Sequence, residues 1–168
     1  DPGNGNASMI AECIRQQVRN QRVDEVPLLF AYAQLLFSIN HTDGRYGTTH
    51  TVAKFWARWR EEVFDDAHFS RIKNTPLPIE VQAALFAAKP PQLRTYFRRL
   101  WSGQMLPSEQ DRLLVSLLTP ARLLEFLRFF VLFDHKAGKV VARYQQFFGV
   151  RALIERISRR RSDGGREG

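Results

Sequence analysis

The chain has 168 residues, 44% of them hydrophobic and 12% aromatic, so it can bury a substantial core, and the aromatic content argues against disorder in its middle part. Its formal net charge of +8 and its pI of about 10.2 favour a polyanionic partner, either nucleic acid or nucleotide. The longest apolar run, near residues 123–133, is broken by Glu125 and Arg128 and is shorter than the roughly 20 apolar residues of a membrane span. We therefore expect no membrane partner.

The N-terminal residues and the cysteine content indicate a reducing compartment. Residues 1–6 are polar and rich in Gly and Asn, unlike a secretory signal, and Cys13 is the only cysteine. Because a single cysteine cannot form an internal disulfide, we expect a cytoplasmic protein. Cys13 falls within a predicted helix, where an inert thiol is favoured over a nucleophile.

Positive charge is concentrated towards the C-terminal end. Residues 136–168 contain nine Lys or Arg and three acids, which accounts for +6 of the total charge of +8. Arg159, Arg160 and Arg161 form the densest run, and we predict that they bind DNA. A solvated tail explains these three arginines equally well.

The first 60 residues predict a helix followed by a β-hairpin. Asn6 or Ser8 can cap the helix, whose apolar residues recur at helical spacing. Asp43-Gly44 is the strongest hairpin signal in the chain. The predicted segments are a helix to about Arg22, a helical turn at 28–32, strands at 34–40 and 45–49, and a turn at 41–44.

The rest of the chain predicts mainly helices. Pro91, Pro107 and Pro120 stand where a helix should begin, because proline fits the first helical turn. Trp56 and Trp59 are interpreted as packing residues. The predicted helices cover about residues 78–88, 92–101, 108–118, 120–133 and 139–160. The predicted fold class is α+β and predominantly helical, with an N-terminal helix and β-hairpin followed by a helical bundle-like segment.

No complete active site is visible in the sequence. The four histidines are dispersed, without the spacing of metal ligands, so no metal site is predicted. The acid pairs Glu61–Glu62 and Asp65–Asp66 are interpreted as the solvated face of a charged helix. Nucleophile-elbow, Cys–His and P-loop motifs are absent. Six phenylalanines at helical spacing are interpreted as core rather than as base-stacking platforms: Phe126, Phe129, Phe130, Phe133, Phe147 and Phe148.

Four stretches of the sequence are distinctive in their order and spacing. They are residues 14–21 with 26–30 (IRQQVRNQ, VPLLF), 34–36 through 45–48 to 54–56 (QLL, RYGT, KFW), 118–124 through 130–133 (LTPARLL, FVLF), and 143–147 (RYQQF). Together they resemble the restriction (R) subunit of type I restriction–modification enzymes, the large nuclease–translocase chain. The resemblance covers most of residues 10–60 and 112–157, and residues 65–111 carry no motif of that family.

The resemblance implies a position between two active centres. In that family a nuclease of the Asp…Glu-x-Lys type precedes an ATP-driven DNA translocase, and both the Glu-x-Lys strand and the phosphate-binding loop would fall outside this sequence. Residues 1–60 would be the end of the nuclease-like domain, 61–135 a helical linker and 136–168 the start of a superfamily 2 motor. ATP and Mg²⁺ are implied for the full-length family member but not for this chain alone. The implied partners are DNA and the methyltransferase and specificity subunits.

The same resemblance implies two site positions. Gln17 matches the glutamine of the nuclease's accessory Gln-x-x-x-Tyr motif, in which Gln21 replaces the tyrosine, so Gln17 would support the metal site or touch the DNA backbone. The alternative is an amide on a helix surface. Gln146, with Gln145 as a close competitor, matches the glutamine that superfamily 2 motors use to read adenine; Arg143 and Tyr144 would pack on the base or near the phosphates. The alternative for Gln146 is a polar residue facing water.

A second function class stays open. The chain could be a free-standing basic helical module whose C-terminal helix binds DNA or an acidic protein partner. Its affinity should then fall steeply with salt and depend on Arg159, Arg160 and Arg161.

Overall fold

The computed structural model describes residues 2–61 and 65–159, with side chains from residue 9 onward. It confirms an α+β, mostly helical fold in which an N-terminal helix precedes a β-hairpin. The helices described are α1 (Pro2–Asn20), α2 (Asp66–Lys73), α3 (Ile79–Phe86), α4 (Pro91–Trp101), α5 (Glu109–Leu118), α6 (Pro120–Phe129) and α7 (Tyr144–Ser158). The strands are β1 (Leu36–Ile39), β2 (Gly44–Gly47), β3 (Val131–Asp134) and β4 (Gly138–Val141), and short 3₁₀ turns lie at Pro27–Phe30 and Ala53–Phe55.

Strands β1 and β2 form the predicted hairpin. They pair antiparallel from Leu36 opposite Gly47 to Ile39 opposite Gly44. The Asn40 side chain shapes the loop by accepting hydrogen bonds from the backbone N–H groups of Thr42 and Asp43. Gly44 begins β2 instead of belonging to the turn. It is a glycine because helix α5 approaches closely: a Cβ there would lie 2.6 Å from Leu113 Cδ2.

Helix α1 packs on this hairpin through a small apolar cluster. Ile10 and Ile14 of the helix are buried against Leu36 and Trp56. The helix begins at Pro2, earlier than the predicted starts at Asn6 or Ser8. It ends at Asn20, close to the predicted end. The predicted apolar positions Ile10 and Ile14 are therefore buried and Val18 packs against them, whereas Cys13 of the same predicted set is exposed.

The main core is an aromatic cluster assembled from distant parts of the chain. Tyr46, Phe126 and Phe147 are fully buried and come from three of the four stretches that carry the family resemblance. Trp59 contacts all three rings, with centroid separations between 5.3 and 6.0 Å. The Tyr46 hydroxyl donates to the carbonyl of Ala142 at 2.8 Å. Burial raises the pKa of the Tyr46 hydroxyl above its usual range, so the group stays neutral.

The C-terminal third differs from the predicted pair of helices. Helix α6 ends at Phe129, and a second hairpin, β3–β4, replaces the predicted helical residues 131–133 and 139–141. The Asp134 carboxylate accepts the backbone N–H groups of Lys136 and Ala137, and Gly138 adopts φ +72°. These are the elements of a three-residue hairpin loop with a left-handed glycine. The last helix therefore starts at Tyr144 and not near residue 139.

Two further predictions fail for some residues. Phe129 and Phe133 are 58% and 77% exposed, so only four of the six phenylalanines pack in or against the core. Glu61 precedes α2 and is not on a helix, while Glu62 lies outside the described residues. Asp65 caps α2 by accepting the His68 N–H, because an N-terminal carboxylate satisfies a free helix donor.

Helices α3 and α4 form a local helical hairpin, called the helical arm here (residues 75–104). Neither helix contains a buried residue. The rings of Phe86, Phe97 and Trp101 contact one another at 5.5 to 6.0 Å. The ends of the arm are joined by two hydrogen bonds between the Asn74 side chain and the backbone of Met105. None of the helices in the described part of the chain is long and apolar enough to cross a membrane.

Candidate functional site

The start of α7 determines the geometry of the predicted nucleotide-binding residues. Arg143 is extended and precedes the helix, and its backbone N–H donates to Gln146 Oε1 at 2.8 Å. A glutamine three residues after the helix cap commonly makes this bond. The bond fixes the orientation of the exposed Gln146 amide. Its Nε2 makes no hydrogen bond with the residues that the structure describes.

Gln146 and Arg143 lie in a groove of about 610 Å³, called the basic groove here. One wall is the loop after β2, and the other is the second hairpin with the first turn of α7. The residues that line it are His50, Thr51, Val52, Phe55, Ala57, Lys136, Ala137, Lys139, Val140, Val141, Arg143 and Gln146. The lining contains three cations, one exposed aromatic ring and no carboxylate.

The cations of the basic groove keep their charge uncompensated. Within the described ranges, Lys136, Lys139 and Arg143 form no ion pair with a carboxylate. Lys139 Nζ donates to the neutral carbonyl of Ala33 at 2.9 Å. Phe55 is 53% exposed. A concave surface with one sign of charge concentrates field and attracts anions, and an exposed ring beside it can stack on a base.

The first wall of the groove is held by Gln21. His50 has a φ of +63°, unusual for a residue other than glycine, and its backbone N–H donates to Gln21 Oε1 at 2.7 Å. The Thr51 hydroxyl accepts the N–H of Thr48 in the same loop. Gln21 thus stabilises a strained loop at the groove. The sequence predicted no role for Gln21 beyond its replacing the tyrosine of the motif; it lies four residues after Gln17, just past the end of α1.

Gln17 connects α1 to the edge of β1. Its Nε2 donates to the carbonyl of Phe37 at 2.7 Å and to Ser38 Oγ at 3.0 Å. The backbone carbonyl of Gln17 accepts a hydrogen bond from the side-chain Nε2 of Gln21 at 2.9 Å. Gln17 is partly buried and is therefore not a free amide on a helix surface. Gln17 and Gln21 together hold β1 and the loop after β2 against one helix.

The other predicted site residues fall into two groups. Gln145 is exposed and Tyr144 packs partly against the core, and neither lines the basic groove. Arg159 donates to Glu155 Oε1 at 2.7 Å on an exposed part of α7. Arg160 and Arg161 lie outside the described residues. The structure thus brings Arg143 and Gln146 together, while Gln145 and Tyr144 point to other surroundings.

Arg122 of α6 fixes the position of α7. Its guanidinium pairs with the carboxylate of Glu61, which also accepts the Trp59 indole N–H at 2.8 Å. The guanidinium carbon lies 5.9 Å and 5.8 Å from the ring centroids of Phe147 and Phe148. These contacts combine charge pairing with cation–π attraction. They orient the first turns of α7 and hence the groove wall that carries Gln146.

The part of the chain that the structure describes contains no group of three or more His, Cys, Asp or Glu able to hold a metal ion. No protein-family model, curated protein or solved structure matches the sequence or the fold. The geometry of the groove and the motifs of the sequence are therefore the basis for assigning a function.

Proposed function

We propose that this chain is part of the DNA-cleaving, ATP-dependent translocating restriction subunit of a type I restriction–modification system. It would connect the end of the nuclease-like domain to the start of the superfamily 2 motor. The observation that carries the proposal is the position of Gln146, whose oriented amide lines a basic groove free of carboxylates. The four sequence stretches that resemble the family support it independently.

The geometry of Gln146 suits the reading of adenine. An amide offers a donor and an acceptor, the pair that the edge of adenine requires. The Gln146 oxygen already accepts one backbone N–H, which holds the amide plane, and a carbonyl oxygen can accept a second hydrogen bond. Lys136, Lys139 and Arg143 would attract the phosphates. ATP hydrolysis needs a phosphate-binding loop, a motif that this sequence lacks, so we expect no measurable ATP binding by this chain alone.

The first hairpin supports the nuclease side of the proposal. Strands β1 and β2 form a two-stranded sheet, and no third strand pairs with β1 in the described ranges. A β1 edge to which no further strand is paired is what the end of a larger nuclease sheet requires. The Gln17 amide occupies the Phe37 carbonyl at that edge. A closed, self-sufficient sheet would have argued against the proposal.

The test uses the natural coding sequence on both sides of this chain. The proposal predicts Glu-x-Lys codons upstream and Gly-Lys-Ser or Gly-Lys-Thr codons downstream. In the longer protein that contains both of these motifs, Gln146→Glu keeps an oxygen that accepts the Arg143 backbone N–H but removes the N–H donor to adenine. We expect the KM for ATP to rise about tenfold, because that factor corresponds to the free energy of one lost hydrogen bond to a buried ligand group. The preference for ATP over GTP should fall as well.

Gln145→Glu is the matched control, because it makes the same charge change one residue away and outside the groove. Equal effects of the two substitutions would contradict the role of Gln146. Flanking sequence without either motif would contradict the family proposal itself. Micromolar affinity of the isolated 168-residue chain for ATP would refute the division of the site between this chain and a later loop.

A second candidate function is a free-standing module that binds DNA or an acidic protein partner. The observation that favours it is the excess positive charge of residues 136–168. The triple substitution of Arg159, Arg160 and Arg161 by Gln should then abolish most binding and flatten its salt dependence. Binding that ignores these three charges would argue against this module.

A further inference from the structure

The helical arm carries four cations and one acid. Residues 75–104 contain Lys89, Arg94, Arg98 and Arg99, with Glu80 as the only carboxylate. None of the four cations forms an ion pair with any residue that the structure describes. Elsewhere in the described chain, arginines commonly pair with a carboxylate, namely Arg15, Arg19, Arg45, Arg58, Arg112, Arg122, Arg151 and Arg159. The arm is therefore a concentrated, uncompensated positive surface.

The ring contacts of α4 fix which side of the helix is basic. Phe97 and Trp101 face α3, where both contact the ring of Phe86. At about 100° per residue around the helix axis, Arg94, Arg98 and Arg99 lie within an arc of about 140°, and Phe97 lies outside that arc. All three are exposed. Arg94 and Arg98 lie one turn apart on one flank, and Arg99 extends the basic face to the side opposite α3.

This basic face is preformed and accessible. Helix α4 has 11 residues and starts with Pro91. Its Phe97 and Trp101 rings contact each other, and both contact the Phe86 ring of α3. The Asn74–Met105 hydrogen bonds close the base of the arm. Because neither α3 nor α4 has a buried residue, the basic face is not covered by the core. A large partner can therefore reach it without any rearrangement of the fold.

We propose that the basic face of α4 binds the phosphate backbone of duplex nucleic acid. Arg94 and Arg99 span about 7.5 Å of helix axis at a rise of about 1.5 Å per residue. A duplex presents about one charge per 1.7 Å, so several phosphates lie within reach of three arginines in many registers. Guanidinium groups match phosphate oxygens with paired hydrogen bonds. Backbone contacts of this kind position a protein on DNA without reading its sequence.

The neighbouring arginines also cost energy when no anion is bound. Like charges at i and i+4 on a helix repel each other and destabilise it, and no carboxylate in the described chain forms an ion pair with Arg94 or Arg98. A bound polyanion removes that repulsion. The proposal rests on residues 75–104, which carry no motif of the restriction-subunit family, and so does not depend on the proposed nuclease–motor function.

The experiment compares two triple variants of the full chain with the same change of charge. One is Arg94→Gln with Arg98→Gln and Arg99→Gln; the control is Arg15→Gln with Arg19→Gln and Arg22→Gln, at exposed positions on α1 and in the turn after it. Binding to a mixed-sequence duplex is measured by fluorescence anisotropy from 50 to 200 mM salt. For the arm variant we expect at least tenfold weaker binding at 50 mM salt and a salt slope shallower by about 2–3, at about 0.9 per phosphate contact.

The control variant should lose less than about threefold, since its charges act only through the overall field. Equal losses in the two variants, or an unchanged arm variant, would overturn the proposal. Tighter binding of the chain to a single strand than to the duplex of equal length would also overturn it. So would an equal loss of polyglutamate binding in the arm variant, because that would indicate an acidic protein partner. Substituting the same three positions by Lys should keep the slope. The proposed function is tested by the KM for ATP and this proposal by the salt slope of duplex binding, so the two can fail separately.

Discussion

The aromatic core and the helical arm are both built from contacting rings, but only the rings of the core are buried. Tyr46, Phe126 and Phe147 are fully inaccessible, while α3 and α4 have no buried residue. The core gathers residues about 100 positions apart in the chain, so several elements cover each ring. The arm contacts mostly its own two helices. Ring contact alone therefore does not produce a core, because the surface removed from water depends on how many elements surround the ring.

The largest effect should come from truncating a core ring. Phe126→Ala removes a fully buried side chain among four other rings and should lower the free energy of unfolding by about 3–5 kcal/mol. Phe97→Ala removes a ring with three ring contacts from the arm and should cost about 1 kcal/mol. Denaturant unfolding followed by circular dichroism measures both. Similar losses for the two variants would break the distinction between core and arm.

Removing the charge that holds α7 should have the next largest effect. Arg122→Leu leaves the Glu61 carboxylate with the Trp59 indole as its only partner among the described residues, and should lower the free energy of unfolding by about 2 kcal/mol. The loss is below that of a fully buried pair because the Arg122 side chain is 25% exposed. Arg128→Leu, on the exposed side of the same helix, is the control and should be nearly neutral. A double-mutant cycle with Glu61→Gln should give a coupling of about 1 kcal/mol; zero coupling would disprove the pair's role.

Substituting Gln17, which joins α1 to the first hairpin, should lower the free energy of unfolding by a smaller amount. Gln17→Ala removes hydrogen bonds to the Phe37 carbonyl and to Ser38 Oγ, and should destabilise the protein by about 1–2 kcal/mol. Gln16→Ala, an exposed neighbour with the same chemistry, should change stability by less than about 0.5 kcal/mol. Hydrogen exchange of β1 amides should accelerate only in the first variant. If both variants behave alike, the bonds do not secure β1.

The smallest effect should be a dependence on pH at the start of α5. Burial tends to raise the pKa of Asp111, but hydrogen bonds from Lys73 and Ser108 outweigh it, so the pKa lies below its usual value. A depressed pKa means that its contribution is fully present above the unfolded value of about 3.9 and is lost as pH falls through the folded value. Asp111→Asn should therefore cost about 1 kcal/mol at pH 7 and progressively less below about pH 4. A difference that stays constant between pH 7 and pH 3 would contradict this.

Local signals in the sequence account for the elements that were predicted. Pro91 and Pro120 mark the starts of two helices, Pro107 stands two residues before the start of a third at Glu109, and Asp43-Gly44 marks the first hairpin within a residue or two. These signals act over a few residues and do not depend on the rest of the fold. The α+β class follows from them directly.

The second hairpin was missed because two patterns overlap. The apolar spacing of α6 continues through Phe130 into Val131 and Leu132, so a helical period extends past the real end of the helix. The competing signal was present: Asp134 and Gly138 flank a three-residue loop between apolar segments. With α7 placed at Tyr144, the spacing of Arg143 and Gln146 would also have indicated the capping bond.

The basic groove has no local signature at all. Its two walls, near His50 and near Gln146, are almost 100 residues apart, and only the shared core brings them together. The same holds for the support that Gln21 gives to the loop of His50. A sequence pattern can indicate which residues suit an anion, but their convergence depends on the tertiary packing.

The hydrogen bond between the Tyr46 hydroxyl and the Ala142 carbonyl has a consequence for synthesis on the ribosome. It joins residues 96 positions apart, and Phe147 enters the same cluster. Since the chain emerges from its N-terminus, Trp59 and Phe126 lack the cover of Phe147 until α7 has left the exit tunnel. At about 5–20 residues per second, a nascent chain would expose these rings for several seconds. We expect chaperones that bind apolar segments to engage the chain in that interval, before α7 can close the core.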